Sequence, residues 1–347
     1  MPTSNLQSEG ENTSSQRTKH HAVFAVLRLA AGIAILVYLA KSGIISFGAL
    51  AKLAVAWPIT LLVLAVFLVD IFLMGLRTSW LFRPLGMKLT VLKSTELTLV
   101  SIFFSTFLPG AGGGDLAKLY YATKENTGRR TEVATVLMLD RAIGFFAMLI
   151  LPFFFVPMFL PLIQAVPPLR SILILVACVS IGLLAAFLVC AFNQSIVDFL
   201  ARESTPLPRW RKLGCRVLQT IRIYGRNPGT LLSALLLSIL ANLSVIIITA
   251  LAVLILDPAN LSSKICLVVP IGQAVNGLPL TPGGLGVGET ALNALFNLTG
   301  LRGGAEAFLY WRVWKAMIGL LGLVIYVRGM GSVILYSESE SKGQITT

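Results

Sequence analysis

The chain has 347 residues, 56% of them hydrophobic and 12% charged, with a mean hydropathy of +0.84 and a formal net charge of +13. Soluble globular domains carry about 25% charged residues, so this composition excludes a water-soluble fold and points to an all-α integral membrane protein. The positive charge lies in short loops between apolar segments with no aromatic-basic module, which excludes nucleic acid as a partner and fits a chain held against anionic lipid.

In chain order, residues 1–20 are polar and lack a signal-peptide cleavage pattern, and are expected to form a disordered cytoplasmic tail. A polytopic transmembrane domain is expected over 21–330. Apolar runs of about 17–25 residues are long enough to cross the hydrocarbon layer as helices. Such runs are predicted at about 22–40, 57–76, 131–156, 170–192, 229–256 and 305–328, giving about six full crossings. Two further apolar regions, about 94–123 and 264–300, are broken in the middle by "LPGAGGGDLAK" and "LTPGGLGVGET". Residues 331–347 are expected to be a cytoplasmic C-terminal tail.

Loop charge decides how the two broken regions are read. The N-terminal tail, Arg77 to Lys93, Lys118 to Arg130 and Arg202 to Arg226 are the basic segments, and all four are expected on the cytoplasmic side. A full crossing over 94–109 would leave Lys118 to Arg130 outside. A re-entrant hairpin at about 94–123, entering and leaving from the cytoplasm, removes the conflict. The uncharged loop "VPMFLPLIQAVPPL" then falls outside, the 202–226 loop returns inside, and 264–300 becomes a second hairpin entered from outside. Two solvent loops between short spans would also account for the Pro and Gly runs, at the expense of the charge distribution.

The two broken regions match each other. Asp115 follows Pro109 by six residues and Glu289 follows Pro282 by seven; Arg141 and Arg312 follow the same prolines by 32 and 30 residues. Hairpins of opposite orientation with matched residues form an inverted repeat, the arrangement by which transporters build two related gates around a midplane site. Pro109, Gly110, Pro282, Gly283, Gly284 and Gly286 are the expected tips, where glycine permits the tight backbone that membrane depth tolerates only inside protein or beside a cavity.

Charges inside apolar segments require partners or a cavity. Arg141 and Arg312 are candidate ligands for a phosphate or carboxylate, which a guanidinium holds bidentately. Lys118 and the backbone of Gly112, Gly113 and Gly114, ahead of a helix start, extend this candidate substrate site. Asp115, Asp140, Glu289 and Glu96 are candidates for gating or proton coupling. Arg141 is expected to pair with Asp115 or Glu289 and not with Asp140, because neighbours at i,i+1 on a helix face different ways. Glu96, Gln273 and Asn276 on the hairpin arms are equally well placed to satisfy backbone at a break. Arg28 and Asp70 are read as capping or snorkelling near the membrane faces. No metal spacing or disulfide framework is visible among the four cysteines, and no cofactor is expected.

"FLPGAGGGDLAKLYYA", "VLMLDRAIGFFAML" and "GLPLTPGGLGVGETALNAL" resemble the flippase-like membrane proteins related to the transmembrane region of lysylphosphatidylglycerol synthases, over roughly residues 20–330. The resemblance implies a multi-pass inner-membrane protein, with both termini cytoplasmic, that translocates a polar- or phosphate-headed lipid. It also implies a separate enzyme as the source of that lipid, since no soluble synthase domain is expected here. Gly288 stands where relatives often carry a basic residue. A membrane-embedded lipid-modifying transferase and an ion or small-solute transporter are the alternatives. The transferase is disfavoured because the only histidines, His20 and His21, lie in the tail.

Overall fold

Backbone amides in hydrocarbon must be satisfied within their own segment, and every regular element among the described residues is helical. The computed structural model describes residues 57–107, 113–192, 209–278 and 286–343, with side chains described over 57–107, 113–192, 213–278 and 286–328. The crossing expected at 22–40 lies outside these residues, as do Pro109, Gly110, Gly112, Pro282, Gly283 and Gly284.

The helices are α1 (Trp57–Phe82), α2 (Val91–Phe107), α3 (Gly113–Glu125), α4 (Arg130–Ile150), α5 (Leu160–Ala165), α6 (Pro167–Phe192), α7 (Arg209–Gly225), α8 (Pro228–Leu256), α9 (Ile265–Asn276), α10 (Val287–Leu298) and α11 (Gly304–Gly343). Five segments are long and apolar enough to cross a membrane: Trp57–Leu85, Arg130–Phe154, Pro167–Phe192, Pro228–Leu256 and Gly304–Arg328. They coincide with the five expected crossings that lie among the described residues, and make the chain a multi-pass membrane protein. Their outward faces expose Leu68, Phe72, Leu175, Ile181 and Leu184, a surface suited to lipid and not to water. α11 continues through Gly343, into the segment expected as a tail from 331.

The two broken regions fold as short helical pairs. α2, α3, α9 and α10 contain 17, 13, 12 and 12 residues, so each is about 18–26 Å long, short of the roughly 30 Å of a bilayer core. In the first pair, the Asn126 side chain accepts from the Lys88 N–H (3.2 Å) and donates to the Lys88 carbonyl (3.3 Å), while Gly114, farther in, lies against Ser101. These contacts make α2 and α3 antiparallel neighbours. In the second, Lys264 Nζ donates to the Thr299 carbonyl (2.7 Å) and Gly272 lies against Leu292, so α9 and α10 are antiparallel as well.

The pairs join the bundle at opposite ends. α1 packs along α8, and the Tyr224 hydroxyl, just before α8, donates to the Leu81 carbonyl at the end of α1. Burial pushes the Tyr224 phenol well above its ordinary pKa, so it stays a donor. This end carries the open side of the α2–α3 pair. The α9–α10 pair follows the far end of α8.

Two segments expected as loops contain helix among the described residues. The basic 202–226 segment contains α7, whose apolar face seats Tyr224 and Thr220 against neighbouring helices while Arg216 and Arg226 stay outside. Its arginines lower the mean hydropathy and hide the 3.6-residue period. The proline-rich 151–166 segment forms two 3-10 turns and α5, with prolines at the helix starts where a missing N–H costs nothing.

α11 runs antiparallel to α2 along a glycine stripe. A Cβ added to Gly322 would stand 2.2 Å from the Leu99 carbonyl oxygen, and Gly319 lies beside Ile102 and Phe103. The obstacle at Gly322 is backbone, which no rotamer change relieves. Gly322→Ala is therefore expected to destabilise by about 1–3 kcal/mol despite the better helix propensity of alanine. A lowered thermal midpoint in detergent, with Leu321→Ala on the exposed face as control, checks this.

Candidate functional site

Asp115 stands in the first turn of α3 and Glu289 in the first turn of α10, where the helix dipole and unpaired amides favour a carboxylate. Each acid meets the arginine of its own repeat. Arg141 Nη1 on α4 pairs with Asp115 Oδ2. Arg312 on α11 grips Glu289 with two nitrogens, Nε to Oε1 at 2.7 Å and Nη2 to Oε2 at 3.2 Å. The matched positions read from the sequence thus become two matched ion pairs.

The pairs differ in access. The Arg141 and Asp115 side chains are 54% and 51% exposed, against 12% and 19% for Arg312 and Glu289. The second pair is also more fully bonded. Gly286, at φ 80°, aims its N–H at Glu289 Oε2 (3.0 Å), Asn276 Oδ1 accepts from Arg312 Nη2 (3.3 Å), and the Phe308 ring lies 5.3 Å from the guanidinium. Gly288 is walled in: a Cβ there would stand 2.3 Å from the Phe308 ring and 2.8 Å from Asn276 Oδ1. No basic side chain fits at this position without moving Phe308.

Packing registers place both arginines near the opposite hairpin. On α2 and α11, Gly319 faces Phe103, which sets Lys315 level with Phe107 and Arg312 one turn beyond the end of α2. On α4, Phe145 touches Gly277 at the end of α9, and Arg141 lies one turn before Phe145 on the same face. Each arginine therefore holds the acid of its own repeat and sits where the other repeat's first arm stops.

A second charged group was only half legible. Arg77, expected among loop charges, is buried inside α1, because its guanidinium finds Asp140 Oδ1 (Nε, 2.8 Å) and Ser238 Oγ (Nη1, 2.8 Å). Lys118, expected at a cytoplasmic face within reach of phosphate, is buried too, donating to Thr78 Oγ1 (2.9 Å) and pairing with Asp140 Oδ2 (3.4 Å). Asp140 is thereby the centre of an ionic joint linking α1, α3, α4 and α8, with its neighbour Arg141 pointing elsewhere. Gly144 makes room for it, since a Cβ there would stand 2.8 Å from Arg77 Nη1. Glu96 lies near the outer end of α2 and pairs with Lys93 at 3.3 Å, away from the break. Gly113 and Gly114 begin α3, and Gly114 serves close packing of the two arms. Asp70, read as a capping residue, lies mid-helix within electrostatic reach of Lys315 and Arg77. A pocket of about 250 Å³ lined by Trp80, Arg83, Gly229, Thr230 and Ser233 lies at the basic end, apart from both acid–arginine pairs.

Residues 24–325 match the family described as lysylphosphatidylglycerol synthase TM region. No curated protein and no solved structure matches the chain.

The ionic joint and the open pair predict opposite stability effects. Asp140→Asn leaves two buried cations without a carboxylate and is expected to cost about 3–5 kcal/mol, while Asp115→Asn removes a half-exposed pair worth about 0–1 kcal/mol. Thermal unfolding of the two purified variants in detergent distinguishes them.

Proposed function

The chain belongs to the lysylphosphatidylglycerol synthase TM region family, and from that premise we propose that it moves a polar- or phosphate-headed lipid between the leaflets of the cell's inner membrane. The family ties the chain to a membrane lipid-related role. The translocation reading rests on one observation: two antiparallel helical pairs enter the bundle from opposite ends, and each carries an acid held by an arginine. Helices too short to cross a bilayer core, in two pairs of opposite orientation, are the parts from which an alternating gate is built.

In this reading the arginines are the head-group ligands. A phosphate entering the site offers Arg141 or Arg312 the same bidentate geometry as the carboxylate it displaces. The freed acid then either takes a proton or is left for the next cation, so release of the ion pair and capture of the lipid are one exchange. Asp115–Arg141, half exposed, is the pair that opens first. Glu289–Arg312, enclosed by Asn276, Phe308 and the Gly286 amide, is the closed gate of the same cycle. The Arg77–Asp140–Lys118 joint does not exchange; it holds α3 to the core while the Asp115–Arg141 pair opens. The basic loops and both termini face the cytoplasm, and a separate lipid-synthesising enzyme supplies the substrate.

The test is leaflet-resolved transport of a labelled phospholipid in vesicles carrying the purified protein. Arg141→Ala with Arg312→Ala is expected to reduce transport to the protein-free rate. A wild-type rate in the double variant, at equal protein incorporation, overturns the proposal.

A further inference from the structure

Lys315 stands one helical turn after Arg312 on α11, on the stripe that continues through Gly319 to the end of α2. It lies within electrostatic reach of Arg312, Arg141 and Asp70, so three cations from the two repeats converge on one neighbourhood. Two of them are neutralised by carboxylates in direct contact, Arg141 by Asp115 and Arg312 by Glu289. Lys315 is different. Among the described residues no carboxylate stands at ion-pair distance from it, and its ammonium rests 4.9 Å from the centre of the Trp311 ring.

A second donor without an acceptor stands beside it. Trp311 is 7% exposed and its indole Nε1 has no hydrogen-bond partner among the described residues. A buried donor left unmet is costly, and an ammonium resting on the same ring makes this a place suited to acceptor oxygens carrying negative charge.

We infer that Lys315, with the Trp311 indole beside it, is the specificity-determining anchor for a lipid whose head group carries a net negative charge, an anionic glycerophospholipid in preference to a zwitterionic one. This rests on the translocation reading above and names its substrate class. The physical reason is the order of contacts. An arriving phosphate meets Lys315 without breaking an ion pair, whereas contact with either arginine requires displacing a carboxylate. Asp70, on α1, is the opposing charge: it balances Lys315 in the empty site and competes with the phosphate for it. A head group with a compensating ammonium gains less from Lys315, since the two cations repel.

The full chain is incorporated in nanodiscs of equimolar phosphatidylglycerol and phosphatidylethanolamine, and the lipid retained after delipidation is quantified by mass spectrometry. Wild type is expected to retain phosphatidylglycerol preferentially. Loss of one charge-assisted contact lowers that preference about tenfold or more in Lys315→Gln, Lys315→Arg keeps it, and Asp70→Asn increases it. Inorganic phosphate in excess is expected to leave the preference unchanged; displacement of lipid by phosphate overturns the lipid assignment. A wild-type preference in Lys315→Gln overturns the role of Lys315, as does equal loss of both lipids with a lowered thermal midpoint. If transport stops in the Arg141, Arg312 double variant while Lys315→Gln keeps its preference, only this inference falls. If the double variant transports normally, the parent reading falls with it.

Discussion

A carboxylate and a guanidinium that share a low-dielectric interior are held together far more firmly than in water, and each is costly to leave without the other. In this protein Arg312 with Glu289, and Arg77 with Asp140, meet that constraint inside the bundle, while Asp115 with Arg141 repeats the first pairing at a half-exposed position. Asp115 and Glu289 sit in the first turns of short helices, and the long helix that follows each supplies an arginine. The pairing fixes how far each helical pair reaches into the bundle, and the glycine contacts that line α2 against α11 and α3 against α2 make the fit possible.

The two repeats are alike in plan and unlike in detail. The first adds a buried ionic joint, Arg77–Asp140–Lys118, whose counterparts by position in the second are apolar: Leu292 three residues after Glu289, and Trp311 just before Arg312. The second encloses its arginine with Asn276, Phe308 and a glycine amide. One short pair is therefore tied to the core one turn from its acid and open at the acid itself, while the other is closed around its acid. An inverted repeat with identical halves has no preferred state, and differences of this kind supply one.

Much of this was legible from residue order. Apolar length placed five helices, loop charge assigned the broken regions to short pairs, and the spacing from each proline to acid and arginine identified the partners that meet. The identity of Asp140's partners was not legible. Arg77 lies 63 residues away and reads as a loop cation by its place at the end of an apolar run, and Lys118 reads as a surface charge for the same reason. Asp70 was visible as a charge in an apolar segment, but nothing in its spacing says that α1 and α11 bring it within electrostatic reach of Lys315. α7 was hidden because charge outweighs periodicity when hydropathy is averaged.

The sequence by itself determined what is local or repetitive: that the chain lives in a membrane, where its helices run, and that two proline-glycine breaks with matched acids and arginines form one motif used twice. Those follow from hydrocarbon thickness, from backbone hydrogen bonding and from counting, each of which needs only neighbours in the chain. Tertiary structure alone decided which acid–arginine pair is open, which cations are buried, and that no carboxylate among the described residues contacts Lys315. Burial and charge pairing depend on which helices pack side by side, and contacts between residues 40 to more than 150 positions apart leave no local signature.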